Sequence, residues 1–71
     1  MGAVPTVGKV ATIARGRGDG FIRETGGDLL YFNRRDVTGP FNDLEVGDRV
    51  TFEVIEDTVS GRLAMRVTKK K

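Results

Sequence analysis

The fold is decided by residues 19–33, whose sequence is DGFIRETGGDLLYFN. Over the first six positions small or apolar side chains alternate with polar or aromatic ones, as on a strand with one buried face. Gly26 and Gly27 then supply the positive φ that a tight hairpin turn requires. The last five positions form a second predicted strand, with Leu30 and Phe32 directed inward. Residues 19–33 therefore predict a β-hairpin.

Short apolar runs bounded by glycine continue on both sides of the hairpin and predict five strands in all. Five strands without a helical crossover are typical of an antiparallel barrel or sandwich. The long connection over residues 34–46 and the two-strand return after it favour an all-β, five-stranded antiparallel Greek-key OB-fold barrel. An SH3-like barrel is the competing topology. The first four predicted strands are Val7–Ala14, Asp19–Glu24, Leu29–Asn33 and Arg49–Glu56.

The last predicted strand faces inward through Leu63, Met65 and Val67. These three positions complete a core large enough to fill a small barrel. We expect a flexible N-terminus over residues 1–6, one OB domain over residues 7–68 and a basic tail over residues 69–71. The remaining predicted core residues are Val10, Ile22, Leu30, Phe32, Val37, Leu44, Val50, Phe52 and Val54.

The composition excludes several classes of function. The chain has 71 residues with no cysteine, histidine or tryptophan, which removes imidazole bases, thiol nucleophiles and the usual zinc ligands. We therefore expect a protein that is not an enzyme and that carries no cofactor and no metal. No apolar run approaches the roughly 18 residues of a membrane span, and no signal-peptide pattern follows Met1. The expected location is cytoplasmic.

Positive charge is concentrated in the first half of the chain. The formal net charge is +2, but residues 1–35 carry +3, residues 36–57 carry −6 and residues 58–71 carry +5. Because local fields rather than net charge attract phosphate, the arginines of the first half are the better indication of a polyanionic partner. Ordinary solvated strand faces would give the same pattern.

The stretch GKVATIARGRGDGFI at residues 8–22, followed by LYFN at residues 30–33, resembles the cold-shock domain family. The register over residues 8–22 matches the first two strands of that family without a gap. The similarity extends over residues 7–68, through the spacing of FNDLEVG, the run VTFE and the closing Ala-x-x-Val. The resemblance implies an OB barrel whose first three strands present a sheet face to single-stranded RNA or DNA.

Several aromatic positions of the family are replaced here. Thr12 and Ile13 stand where the family has an exposed Trp and Phe on strand one, and Asp19 replaces the first Phe of the strand-two motif. Phe21 keeps the second Phe of that motif. The platform on which bases stack is therefore thinner than in the family.

On the third strand Tyr31 matches a family Phe, Asn33 its His and Arg34 the aromatic residue that follows. The loop aromatic of the family is matched by Phe41, which has an alternative place as a cap on one end of the barrel. Arg17 and Arg34 can stack through their guanidinium groups and contact phosphate, which compensates in part for the lost rings. Arg35 is a further phosphate contact.

Asp19 has two interpretations. On the outward face beside Asn33 it can accept hydrogen bonds from base amino groups and so tune base choice. Alternatively it pairs with Arg17 or Arg34, on a face that no longer binds nucleic acid.

The sequence thus predicts a monomer that binds single-stranded RNA or DNA without catalysis, with no membrane partner. The resemblance implies a role as an RNA chaperone or as a regulator of transcription or translation. The alternative is a divergent OB module that binds another protein. The predicted nucleic-acid-binding residues are Thr12, Ile13, Arg17, Asp19, Phe21, Tyr31, Asn33, Arg34, Arg35 and Phe41.

Overall fold

The structure, a computed structural model, describes residues 6–59 and 61–70. Its elements are five strands and two short 3₁₀ turns, the latter within the connection between the third and fourth strands. The strand bounds are β1 Thr6–Ala14, β2 Asp19–Glu24, β3 Leu29–Asn33, β4 Arg49–Asp57 and β5 Gly61–Lys69, and the 3₁₀ turns span Arg34–Asp36 and Phe41–Asp43.

The strands close into a barrel in the order β1-β2-β3-β5-β4. Four of the neighbouring pairs are antiparallel, and the β3–β5 pair is parallel, with Tyr31 opposite Leu63. Closure pairs each strand with a neighbour on both sides, although β3 and β5 meet at a single pair of residues. The all-β barrel prediction is confirmed, and the architecture is consistent with an OB-like fold of mixed strand orientation.

The core lies inside this barrel and contains most of the residues that the strand patterns place there. Phe32 and Phe52 are its largest fully buried side chains. Val37 and Val54, both predicted core residues, are half-buried and pack against it. The buried core consists of Val10, Ile22, Leu30, Phe32, Leu44, Val50, Phe52, Ala64 and Val67.

The prediction that Leu63 and Met65 face inward is wrong. Ala64 is fully buried in their place, whereas Val67 is inward as predicted. The cause is a bulge in β5. Between two successive paired positions β4 advances by two residues, from 51 to 53, whereas β5 covers three, from 68 to 65, so β5 holds one extra residue. Arg66 within this bulge has φ 52°. The extra residue reverses the inward alternation on either side of it.

A second bulge lies in β1. Val10 is opposite Ile22, but Thr12 is opposite Phe21, so β1 gains one residue between these pairs. As a result Val10 and Ile13 both point toward the core, and Thr12 is exposed on the outer face. The bulge therefore decides which β1 side chains share a surface with β2.

Gly18, just before β2, and Gly20, within it, have specific structural roles. A Cβ on Gly20 would meet the backbone oxygen of Thr12 and lie 3.0 Å from the Phe32 ring. Gly18 has φ 75°, and a Cβ there would lie 2.9 Å from Nε of Arg34. Gly20 thus allows β1 and β2 to approach closely over the core, and Gly18 makes the turn between them.

The described residues include part of the predicted N-terminal segment and part of the predicted basic tail. Thr6 already belongs to β1, and residues 1–5 of the predicted flexible N-terminus lie outside the described residues. Lys69 ends β5, and the backbone amide of Lys70 donates to the carbonyl of Arg49 at 2.8 Å. Of the predicted basic tail, Lys71 also lies outside the described residues. Within the described ranges, no helix has the length and apolar character needed to cross a membrane.

Candidate nucleic-acid interface

The centre of the candidate interface is a pair of aromatic rings on β2 and β3. Phe21 and Tyr31 are direct cross-strand partners on the outer face of the barrel. Their ring centroids are 5.7 Å apart with an interplanar angle of 71°, the edge-to-face geometry that aromatic pairs favour. Phe21 is 42% exposed although its neighbours Gly20 and Ile22 are buried. An apolar ring face is therefore presented to solvent on a hydrogen-bonded sheet.

Asp19 supports this pair from one side. Its Oδ2 accepts a hydrogen bond from the Tyr31 hydroxyl at 2.9 Å and from Nη2 of Arg17 at 3.1 Å. The Asp19 side chain is only 10% exposed, whereas that of Arg17 is 78% exposed. The predicted pairing of Asp19 with Arg17 is thus present, and the one with Arg34 is not. Sequence reasoning missed the bond to Tyr31, which follows from the diagonal position of the two residues across the β2–β3 register.

Asn33 is used largely by the backbone of the turn that follows β3. Its side-chain oxygen accepts from the backbone amide of Arg35 at 3.2 Å, and its backbone amide donates to Oδ2 of Asp36 at 3.0 Å. This reciprocal arrangement is a capping box, and the spacing Asn-x-x-Asp is its sequence signal. Asn33 is directly opposite Asp19, as expected from the predicted face, and its side-chain oxygen already accepts one hydrogen bond from the turn.

Arg34 and Arg35 project from the same turn and are both exposed. The backbone amide of Arg34 donates to the carbonyl of Gly18 at 2.8 Å, which joins this turn to the one between β1 and β2. The Arg34 side chain lies over Gly18, where a Cβ would displace it. The two turns therefore bring Arg17 and Arg34 to the same end of the sheet face.

Three other predicted site residues have different environments. Thr12 is exposed directly opposite Phe21 and extends the outer face onto β1. Ile13 is half-buried against the core, which removes it from that face. Phe41 is also half-buried, with its ring centroid 6.2 Å from that of Phe32. Of its two predicted places, Phe41 therefore has the one that closes an end of the barrel.

The outer face also contains residues that the sequence analysis did not select. Arg23 lies two positions beyond Phe21 on β2 and is exposed, with Nη1 donating to the carbonyl of Gly27 at 3.0 Å. Its cross-strand neighbour Leu29 is 49% exposed. The signal for both is the period of two along β2 and β3, which places them on the face of Phe21 and Tyr31.

The described part of the chain contains no cluster of three or more acidic side chains arranged to hold a metal ion. What the face offers chemically is exposed aromatic surface, guanidinium groups and one compensated carboxylate. No protein-family model matches the chain, and no curated protein matches it either.

Proposed function

We propose that this protein binds single-stranded RNA or DNA, without catalysis, on the outer face of β1, β2 and β3. The observation that carries the proposal is the exposed Phe21 ring directly opposite Tyr31 on a closed barrel. Bases of an unpaired strand stack on such rings with about 1–3 kcal/mol per base. Two rings are fewer than the resemblance to cold-shock domains implies, so the affinity is lower than that of a fully aromatic platform.

Cations around the ring pair supply the second part of the interaction. Arg23, Arg34 and Arg35 are exposed, and none of the carboxylates in the described residues lies within ion-pair distance of them. Their guanidinium groups can contact phosphate or stack on a base without first leaving a carboxylate. Because phosphate contacts release counterions, binding weakens as the salt concentration rises.

Asp19 gives the site a basis for base preference. Its two side-chain hydrogen bonds within the described residues use Oδ2, so that Oδ1 can accept from the amino group of a cytosine or guanine beside Tyr31. The pairing with Arg17 compensates the negative charge and lowers the repulsion of phosphate. Selectivity for bases with an amino group is the expected result.

A second candidate function is the binding of another protein. The row formed by Phe21 and Tyr31 continues through Leu63 on β5 to Ile55 on β4, which is 40% exposed. An apolar row that extends past the aromatic pair is a feature that protein partners also use. Nucleic acid is the favoured ligand because the exposed arginines lie near the end of this row that Phe21 and Tyr31 form.

The test is a titration of the isotope-labelled protein with short single strands of each base at low salt. A strand of about ten nucleotides fits within the roughly 4–16 that an OB fold covers. Amide shifts are expected around Phe21, Tyr31 and Arg34, and Phe21→Ala is expected to cost about 1–3 kcal/mol in affinity. Ile55→Ala, at the other end of the apolar row, is the matched control and leaves the affinity unchanged.

A lack of shifts at millimolar oligonucleotide would end the nucleic-acid proposal. An equal loss from Phe21→Ala and Ile55→Ala would argue against stacking at the ring pair and for a general apolar contact.

A further inference from the structure

Three cations stand side by side across three strands of the barrel. Lys9 on β1 is the direct partner of Arg23 on β2 and also of Arg49 on β4. All three are exposed on the outer face. We call Arg49, Lys9 and Arg23 the cationic row.

The cationic row is electrostatically unfavourable in the isolated protein. Directly opposed residues on neighbouring strands have Cβ atoms about 4.5–5.5 Å apart, and like charges in such positions are destabilising. Among the described residues, no carboxylate lies within ion-pair distance of any member of the row. An anion held between these side chains would relieve the repulsion.

The cationic row lines a groove of about 340 Å³. Lys70 also lines the groove and adds a fourth cation to it, and its backbone amide donates to the carbonyl of Arg49 at 2.8 Å. Val7 adds an exposed apolar wall. The acidic side chain in the lining is Glu24, whose carboxylate is paired with Arg62 at 3.2 Å. The groove is therefore positive, partly apolar and open to solvent.

We propose that this groove binds phosphate groups of the same single strand that stacks on Phe21. The inference rests on the proposed function and extends the interface from β2 across β1 to β4. Arg23 follows Phe21 by two residues on the same face of β2, roughly 6.7 Å along the strand. A nucleic-acid backbone that leaves the ring pair in this direction meets Arg23, then Lys9, then Arg49. Continuity with the aromatic pair favours a nucleic acid over an acidic peptide.

The test measures the affinity for a labelled oligonucleotide of about ten nucleotides over a range of salt concentrations. Each phosphate neutralised on a single strand contributes about 0.7 to the slope of log affinity against log salt. Lys9→Gln and Arg49→Gln are each expected to reduce that slope by about 0.7 and to weaken binding at low salt. Both variants should melt at or above the wild-type temperature, since each removes a repulsion.

The matched control is Arg66→Gln, which lowers the formal charge by the same amount. Arg66 lies on β5, 3.7 Å from Glu53 and outside the groove. A slope for Lys9→Gln and Arg49→Gln equal to that of Arg66→Gln would overturn the cationic row as a phosphate site. In that case an intact Phe21→Ala effect would still support stacking on the ring pair, so the two proposals fail separately.

Two further results are decisive. If an oligoglutamate of equal charge bound as tightly as the oligonucleotide and shifted the same amides, the assignment to a nucleic-acid backbone would be wrong.

If no oligonucleotide bound at all, titration with inorganic tripolyphosphate would test the groove alone. Shifts at Lys9, Arg23 and Arg49 would keep it as a phosphate site, and their lack would overturn it.

Discussion

The cations of β5 and those of β1 and β2 are in opposite situations. On β5, Arg62 lies 2.7 Å from Asp28, Arg66 lies 3.7 Å from Glu53 and Lys69 lies 3.4 Å from Asp48. In contrast, Lys9 on β1 and Arg23 on β2 have no carboxylate within ion-pair distance in the described ranges.

This difference shows where a ligand can be expected. A cation that already has a carboxylate partner contributes to the barrel and must lose that partner before it binds phosphate. An exposed cation without one can bind an anion with no such loss. The two kinds of cation are separated by strand, so substitutions can test them independently.

The largest expected effect concerns Arg62. It bridges Glu24 and Asp28, and the Glu24 side chain is only 14% exposed. Arg62→Leu leaves this carboxylate without its partner, which should lower the free energy of unfolding by about 1–3 kcal/mol. Urea denaturation measures this loss of unfolding free energy. Arg66→Gln, which breaks a more exposed pair, should cost at most about 1 kcal/mol. Equal losses from the two variants would contradict a structural role specific to Arg62.

An intermediate effect is expected when the central cation of the cationic row is replaced by a carboxylate. Lys9→Glu places a carboxylate directly opposite both Arg23 and Arg49. Cross-strand pairs of opposite charge contribute roughly 0.2–1 kcal/mol each, so the unfolding free energy should rise at low salt. Thermal melts should show the gain fading toward about 1 M salt, where the screening length is about 3 Å. A loss of stability at low salt would mean that these cations do not repel one another.

The smallest effect concerns the ion pair between Arg17 and Asp19. Arg17 is the cation of the first half, among the described residues, that has a carboxylate partner. Asp19→Asn removes the charge but keeps an oxygen that can accept from the Tyr31 hydroxyl. Oligonucleotide affinity should rise by about 0.5 kcal/mol, and the preference for cytosine and guanine should fall. Fluorescence anisotropy with each homopolymer measures both, and Asp28→Asn is the control of equal charge. Weaker binding to every sequence would show that the Asp19 carboxylate itself is needed.

The hairpin at residues 19–33 was predictable because its signals are local. Strict alternation and the Gly-Gly turn give the bounds of β2 and β3 as the structure has them. The register of β5 was not predictable in the same way. Its bulge places a left-handed φ on Arg66 rather than on a glycine, so no residue type marks the position. Tertiary pairing with β4 decides that Ala64, and not Met65, is buried.

The candidate site was predictable to a similar extent. Periodicity identifies Phe21 and Tyr31 as outward neighbours, and the structure gives them that position. Periodicity does not reveal the hydrogen bond from Tyr31 to Asp19, which depends on a diagonal contact between strands. The cationic row requires the pairing of β1 with β4, a contact between residues distant in sequence.

The hydrogen bond between Tyr31 and Asp19 has a kinetic and entropic consequence. Together with the edge contact from Phe21, it fixes the phenol ring before any ligand arrives. Ordering a side chain on binding costs about 0.5–1.5 kcal/mol, and here that cost is met during folding. For the proposed binding of a single strand, the ring on which a base would stack is thus preorganised, so association should proceed with little rearrangement of the protein.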